Sequence, residues 1–102
     1  MNNVQLVGRL GSDAESKPIG EGFVINFSLA TSRTYKDKSG EKVEKTEWHS
    51  IAYWVKNDTI AQYLVKGGLV GITGSIEYSK SEDKYFTKIV ARELELLGSK
   101  SS

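Results

Sequence analysis

The 102-residue sequence predicts an all-β domain, a five-stranded Greek-key barrel with one short helix between strands 3 and 4. Three observations point there. Apolar residues recur along most of the chain with a period of two rather than 3.6. Breaks rich in glycine, serine and charge divide the alternating segments into strand-sized pieces. One short stretch leaves that rhythm: Ile60, Ala61 and Leu64 share a helical spacing, and Gly67-Gly68 follow as a left-handed exit.

The elements follow in order. Val4, Leu6 and Leu10 alternate with Gln5 and Arg9, which predicts a first strand near 3–11. Residues 12–22 carry glycine, serine, charge and the only proline, Pro18, and read as a loop. Phe23, Ile25, Phe27 and Leu29 then alternate with Val24, Asn26, Ser28 and Ala30, a second strand with one buried face. The charged stretch KDKSGEKVEK over 36–45 reads as a long hairpin loop, and Thr46–Val55 as a third strand. Asn57 or Asp58 can cap the short helix, which runs through Tyr63 or Leu64. A fourth strand over 69–78 sets Val70, Ile72 and Ile76 on one face, with Gly71 and Gly74 marking a bend or close backbone approach at a barrel corner. The loop SKSED leads to a fifth strand from Lys84 to Leu97, and GSKSS frays at the end, giving a domain over 1–98 and a tail over 99–102. This is the element order of the OB barrel; another small barrel, or a sandwich with a stray helical turn, shares it.

A chain of this length holds one core. The absence of cysteine excludes disulfides, thiolate catalysis and cysteine-bound zinc. No apolar run is long enough for a membrane helix, and MNNVQLVGRL lacks a secretory pattern, so a cytoplasmic location is expected. Fourteen Lys+Arg against 13 Asp+Glu give a net charge of +1. That balance is not the strongly basic one of a typical nucleic-acid binder, so such a role must rest on where the charges sit.

The segment TEWHSIAYWVK carries the most information. Trp48 and Trp54 stand six apart, so a strand points both to one face, about 20 Å from each other at ~3.3 Å per residue. Ser50 and Ala52 lie between them on that face, while Ile51, Tyr53 and Val55 are left to supply the core. Two indoles standing clear of small neighbours form a platform on which any base can stack through its π-face. Burial of both tryptophans is the competing reading, and Ser50 and Ala52 argue against it. Next to this segment, Arg33, Lys36, Lys38, Lys42 and Lys45 bring five positive charges to 33–45, against Asp37, Glu41 and Glu44, with Tyr35 at the mouth of the loop. Cations around an aromatic suit a groove that tracks a phosphate backbone; a solvated hairpin of mixed charge has the same composition. Tyr78 and Tyr85 bracket the second loop beside Lys80 and Lys84, as stacking groups or as packing at the barrel rim.

Catalysis finds little footing. His49 is the only histidine and lies beside Trp48 in a strand, Glu82-Asp83 fit a turn, and Asp13 and Glu15 fall in a loop. Gly71 and Gly74 lack the helix that follows a phosphate loop. No acid–base pair or nucleophile constellation emerges, so no enzyme, cofactor or metal is expected.

NNVQLVGRLGSD, VINFSLATSRTYKDKSGEK, TEWHSIAYWVK, IAQYLVKGG and IVARELELLG together cover nearly the whole chain. In that order they resemble the bacterial single-stranded DNA-binding protein family, most specifically at LATSRTYKDKSGEK and TEWH. The resemblance implies an OB fold in a homotetramer that wraps single-stranded DNA in replication, recombination and repair. It sets Tyr35 where the family often has a tryptophan, Trp48 on the stacking tryptophan of TEWH, and Trp54 where a stacking phenylalanine is more common. It also implies a subunit interface along the first strand, at Asn3, Val4, Gln5, Leu6 and Val7, with His49 near a subunit contact. Two departures stand out. SKSED is shorter than the family's corresponding loop and has Ser81 where a stacking aromatic is usual, which leaves Tyr78 to compensate and a dimer as the alternative assembly. The sequence ends at Ser102, without the disordered linker and acidic tip through which the family recruits other proteins, so that recruitment is expected to be absent from this chain.

The resulting expectation is sequence-independent binding of single-stranded DNA. Trp48, Trp54, Tyr35 and Tyr78 would stack bases, and Arg9, Arg33, Lys36, Lys38, Lys42, Lys45, Lys56 and Lys80 would meet phosphates. The rivals are an OB module that scaffolds proteins, an RNA-binding OB domain, and a nuclease on the same scaffold.

Overall fold

The computed structural model describes residues 1–98; the tail expected over 99–102 lies outside them. Six strands and one short 3-10 helix follow in order: β1 (Val4–Leu10), β2 (Glu15–Ile19), β3 (Gly22–Lys36), β4 (Lys42–Val55), the helix Thr59–Tyr63, β5 (Leu69–Ser81) and β6 (Lys84–Gly98). β1, β5, β6, β4 and β3 neighbour one another in that sequence, and β3 returns to β1 through Arg9↔Ala30 and Leu10↔Leu29, closing a five-stranded barrel. All neighbours are antiparallel except β4 and β6, which run parallel through Ile51↔Ile89 to Tyr53↔Ala91. This is the expected OB barrel.

The alternation read from the sequence builds its interior. Ile25, Phe27 and Leu29 of β3 meet Ile51 of β4, Val70 and Ile72 of β5, and Ile89 and Ala91 of β6, with Leu10 closing the cluster. Leu64, fully buried just after the helix, adds to the same cluster, and its carbonyl accepts from the Ala14 amide at 2.9 Å. The corner read at Gly74 is real: the β5–β6 register shifts between Thr73 and Gly74, and a Cβ on Gly74 would lie 2.1 Å from the Val90 carbonyl oxygen.

Four expectations change. Residues 12–22 are not all loop, because Glu15–Ile19 pairs with β3 through Glu15↔Asn26 to Ile19↔Gly22. Pro18 is tolerated there because an edge strand leaves one side of its backbone without a ladder to complete. The charged loop is mostly ribbon: β3 and β4 stay paired out to Lys36↔Lys42, leaving only residues 37–41 for the turn. SKSED likewise shrinks to a two-residue turn at Glu82-Asp83, with Ser81↔Lys84 as its last rung and a left-handed φ of 57° at Glu82. The helix is a single 3-10 segment whose N-cap residue, Asp58, makes no side-chain cap bond. Its carboxylate instead accepts from Ser16 Oγ at 2.9 Å, and Asn57 Oδ1 accepts weakly from the Thr59 amide at 3.3 Å. The left-handed exit falls at Gly67, with φ of 84°.

Candidate nucleic-acid interface

The β3–β4 ladder runs without a register break from Phe23↔Val55 to Lys36↔Lys42, so side-chain parity can be followed along its whole length. Odd-numbered Ile25, Phe27, Leu29 and Ile51 point into the barrel, and even-numbered Trp48, Ser50 and Trp54 point out. Both indoles are open to solvent, Trp48 at 63% and Trp54 at 50% of full exposure, so neither belongs to the core. Between the Ala30↔Trp48 and Val24↔Trp54 rungs lie only Ser28↔Ser50 and Asn26↔Ala52. These short residues floor a groove of ≈ 410 Å³, edged by Ser12, Asp13 and Glu15 on one side and Lys88 on another. A flat aromatic at each end of a trough of small polar groups can hold successive bases between the rings. Arg9 belongs to the same wall, since Arg9↔Ala30 and Ala30↔Trp48 form one rung across three strands. One of its N–H groups, on Nη1, donates to the Gly67 carbonyl at 2.9 Å.

Beyond the barrel the β3–β4 and β5–β6 ladders continue as two exposed arms. Tyr35 is odd-numbered and lies opposite Val43, on the face of the first arm that continues the barrel interior. It therefore does not extend the outer wall of Trp48 and Trp54. The Arg33 guanidinium sits 5.7 Å over its ring. The second arm repeats this arrangement. Tyr78, Lys80, Tyr85 and Thr87 share the face that follows from the inward-facing Ile76↔Ile89 rung, and Lys80 Nζ lies 5.4 Å over the Tyr85 ring. Tyr78 and Tyr85 are each 73% exposed, which overturns the rim-packing alternative for both. Each arm thus carries a tyrosine with a cation above it, and such a pair can present charge and π-surface together.

Charge placement on the first arm runs against the stability of the free protein. Lys36↔Lys42 and Arg33↔Lys45 set like charges directly across the ladder, a destabilising arrangement. Arg33 leans over Tyr35 and Lys45 turns to Glu47 at 3.3 Å, the one ion pair among the described residues. The two rungs lie on opposite faces of the ribbon, Lys36↔Lys42 on the face of Trp48 and Arg33↔Lys45 on the face of Tyr35, so each repulsion would be relieved by an anion on its own face. Lys38 lies exposed in the turn, and Lys56, two residues after Trp54, is also exposed. The tip is pinned by Asp37, whose Oδ1 accepts from Ser39 Oγ at 2.7 Å, from the Ser39 amide at 2.9 Å and from the Glu41 amide at 3.0 Å. The Ser39 hydroxyl bond, followed by the Glu41 amide, holds the carboxyl below its ordinary value. Its contribution to the turn is therefore complete above the usual carboxylate range and is lost only as pH falls through the lowered value.

His49, facing the barrel side, shares a hydrogen bond between Nε2 and Thr31 Oγ1 at 2.9 Å. Among the first-strand residues, Val4 and Leu6 are half-buried against the core, whereas Gln5 and Val7 face out. Asn3 Oδ1 accepts from Arg92 at 2.9 Å. The sequence reading missed Phe86, 52% exposed on the far face of the second arm between Lys84 and Lys88; alternation with those lysines was the available signal. Among the described residues, no group of three or more His, Asp or Glu side chains could hold a metal ion, and no helix is long and apolar enough to cross a membrane.

Known proteins share both sequence and fold with this chain. The chain is 43% identical to single-stranded DNA-binding protein 1 of Chlorobaculum tepidum, covering all of this chain and 68% of that protein. It is 46% identical to the single-stranded DNA-binding protein of Neisseria meningitidis, of which it spans 62%. A solved complex of Plasmodium falciparum SSB with ssDNA superposes with a TM-score of 0.78 at 32% identity, over 96% of this chain and 94% of that one. The single-stranded DNA binding protein of Thermus aquaticus shares the fold, with a TM-score of 0.78 at 23% identity over 95% of this chain and 50% of that one. The sequence pattern of the single-strand binding protein family matches residues 1–97, and the chain belongs to that family.

Proposed function

We propose that this protein coats single-stranded DNA without reading its sequence. The observation that carries the reading is the pair of open indoles, Trp48 and Trp54, on one outer wall of the barrel. Bases stack on these rings across the groove, and Arg9 and Lys56 meet phosphates at its margins. The strand then passes around the ribbon to the arms, because Tyr35 and Tyr78 lie on faces of inward parity. There Arg33, Lys36, Lys38, Lys42, Lys45 and Lys80 track the backbone. Stacking is indifferent to base identity and phosphate contacts carry no sequence information, so binding is general. The role is occupancy rather than catalysis: a coated strand cannot re-pair and is shielded from nucleases. Work in replication, recombination and repair, within the cytoplasm at the nucleoid, belongs to the same reading.

Titration of poly(dT) against intrinsic tryptophan fluorescence tests it. Deep quenching by the single strand, with little response to duplex DNA, is the expected result; equal responses would reject base stacking. Affinity should fall with salt at a log–log slope of about −0.7 for each phosphate contacted. A flat salt response would remove the electrostatic part. Competition between dT and rU oligonucleotides separates this reading from an RNA-binding one.

The assembly is proposed to use β1. Over residues 4–7 its edge away from β5 has no pairing partner among the described residues, which leaves main-chain groups free to add a strand from a second copy. On that strand Val7 is 61% exposed, and Leu97 of β6, 46% exposed, joins it over Gly71 on the outer face of the sheet. A tetramer built from two such dimers, with Gln5, Val7 and Asn3 near the seam, is the form expected in light scattering, and Val7→Asp should lower the measured mass. A monomeric parent, or a variant of unchanged mass, would refute this seam.

A further inference from the structure

We infer that Gly11 is the positioning residue for the Trp48 indole. The inference rests on the reading of Trp48 as a stacking group and adds what holds its ring in place. Gly11 follows β1 directly, and its amide donates to the Ser28 carbonyl at 3.1 Å, one rung from Trp48 on the same wall. A Cβ built on Gly11 would lie 2.4 Å from Trp48 Cζ3, 2.9 Å from Cη2 and 3.4 Å from Cε3. These are consecutive atoms on the benzo edge of the indole. The ring thus rests its edge on the bare glycine backbone while the residue as a whole keeps 63% of its full exposure.

Nothing else at Gly11 calls for glycine. Its φ is not in the left-handed region, unlike that of Gly20, Gly40 and Gly67, and the three nearest atoms to the missing Cβ all belong to Trp48. Gly8, three residues earlier, is blocked instead by the Ala30 main-chain oxygen at 2.1 Å, so a side chain there would press on the barrel itself. At Gly11 an added methyl meets only a side chain that can swing away. It would move the indole and leave the barrel standing. Stacking depends on where the ring lies, so the consequence falls on DNA binding.

The test is a double-mutant cycle between Gly11→Ala and Trp48→Phe, reading poly(dT) affinity, with thermal unfolding as the check on folding. Phenylalanine still stacks but lacks the outer atoms of the benzo ring, which makes room for the methyl. Complete loss of one stacked base corresponds to about 5- to 150-fold in affinity. Gly11→Ala should cost several-fold, within that range, in the parent and less than ~2-fold in the Trp48→Phe background, with the melting temperature nearly unchanged in both. Equal losses in the two backgrounds would overturn the proposal, since Gly11 would then act independently of the indole. A second readout does not depend on stacking. In a Trp54→Phe background, where Trp48 is the only tryptophan, Gly11→Ala should shift the maximum of the selectively excited tryptophan emission and lower its anisotropy. Unchanged emission would also overturn it. If Trp48→Ala binds DNA as tightly as the parent, the stacking reading fails by itself, and the emission experiment still decides whether Gly11 positions the ring.

Discussion

Replacing both Trp48 and Trp54 with alanine should lower affinity for single-stranded DNA by about 2–6 kcal/mol, with each single change contributing about 1–3 kcal/mol. The two effects should add, because along β4 the rings stand about 20 Å apart and sites separated by more than ~10 Å rarely couple. The fold should survive. Both side chains project from the outer wall, and the fully buried residues, Ile25, Leu29, Ile51, Leu64 and Val70, lie on the other side of the sheet or in other elements. Equilibrium titration with a fluorescent oligo(dT), paired with thermal unfolding of each variant, measures both quantities. A double variant that melts far below the parent while its folded fraction still binds normally would mean that the indoles support the barrel rather than the DNA.

A large loss of stability is expected from Gly74→Ala. The new Cβ would meet the Val90 carbonyl oxygen at 2.1 Å, the Val90 carbonyl carbon at 2.8 Å and Ala91 Cα at 2.9 Å. All three are main-chain atoms, so no rotamer change relieves the clash, and β5 must pull away from β6 at the barrel corner. That corner adjoins Ile72, Ile89 and Ala91 of the core. A cost of about 3 kcal/mol, the upper part of the range for overpacking, would lower Tm by roughly 12–24 °C in a domain of this size. Gly71→Ala, three residues back on the same strand, is the control. Its nearest obstacles are the movable tips of Leu97 at 3.3 Å and Val7 at 3.7 Å, and it should cost much less. Differential scanning calorimetry of the two variants decides the matter, and equal melting temperatures would refute the corner assignment.

Much of the binding wall was legible because parity within a strand is a local property. Trp48 and Trp54, six residues apart in an unbroken β-rich run, had to share a face, and small neighbours at 50 and 52 marked that face as the open one. The core followed from the same rule at Ile25, Phe27 and Leu29, whereas Phe23 at the start of the run lies outside the core cluster and Val24 beside it is buried instead. Gly74 could be suspected from its place inside a strand. The resemblance of TEWH and its flanking segments then pointed to the ligand, which composition alone, at a net charge of +1, would not have suggested.

What pairing with distant residues decides could not be read in this way. Glu15–Ile19 has no apolar alternation, and it is a strand only because the edge of β3 beside it is open. The charged stretch over 36–45 resembles a loop in composition, yet the ladder carries it outward as a ribbon, and the unbroken register turns Tyr35 away from the tryptophan wall. Gly11 and Trp48 are 37 positions apart in the chain and meet only because β1 and β4 flank β3. By itself, then, the sequence determined the strand faces and the aromatic side chains proposed to stack. The tertiary structure decided which faces join into one surface, because hydrogen-bonded edges, unlike side-chain parity, depend on partners far away along the chain.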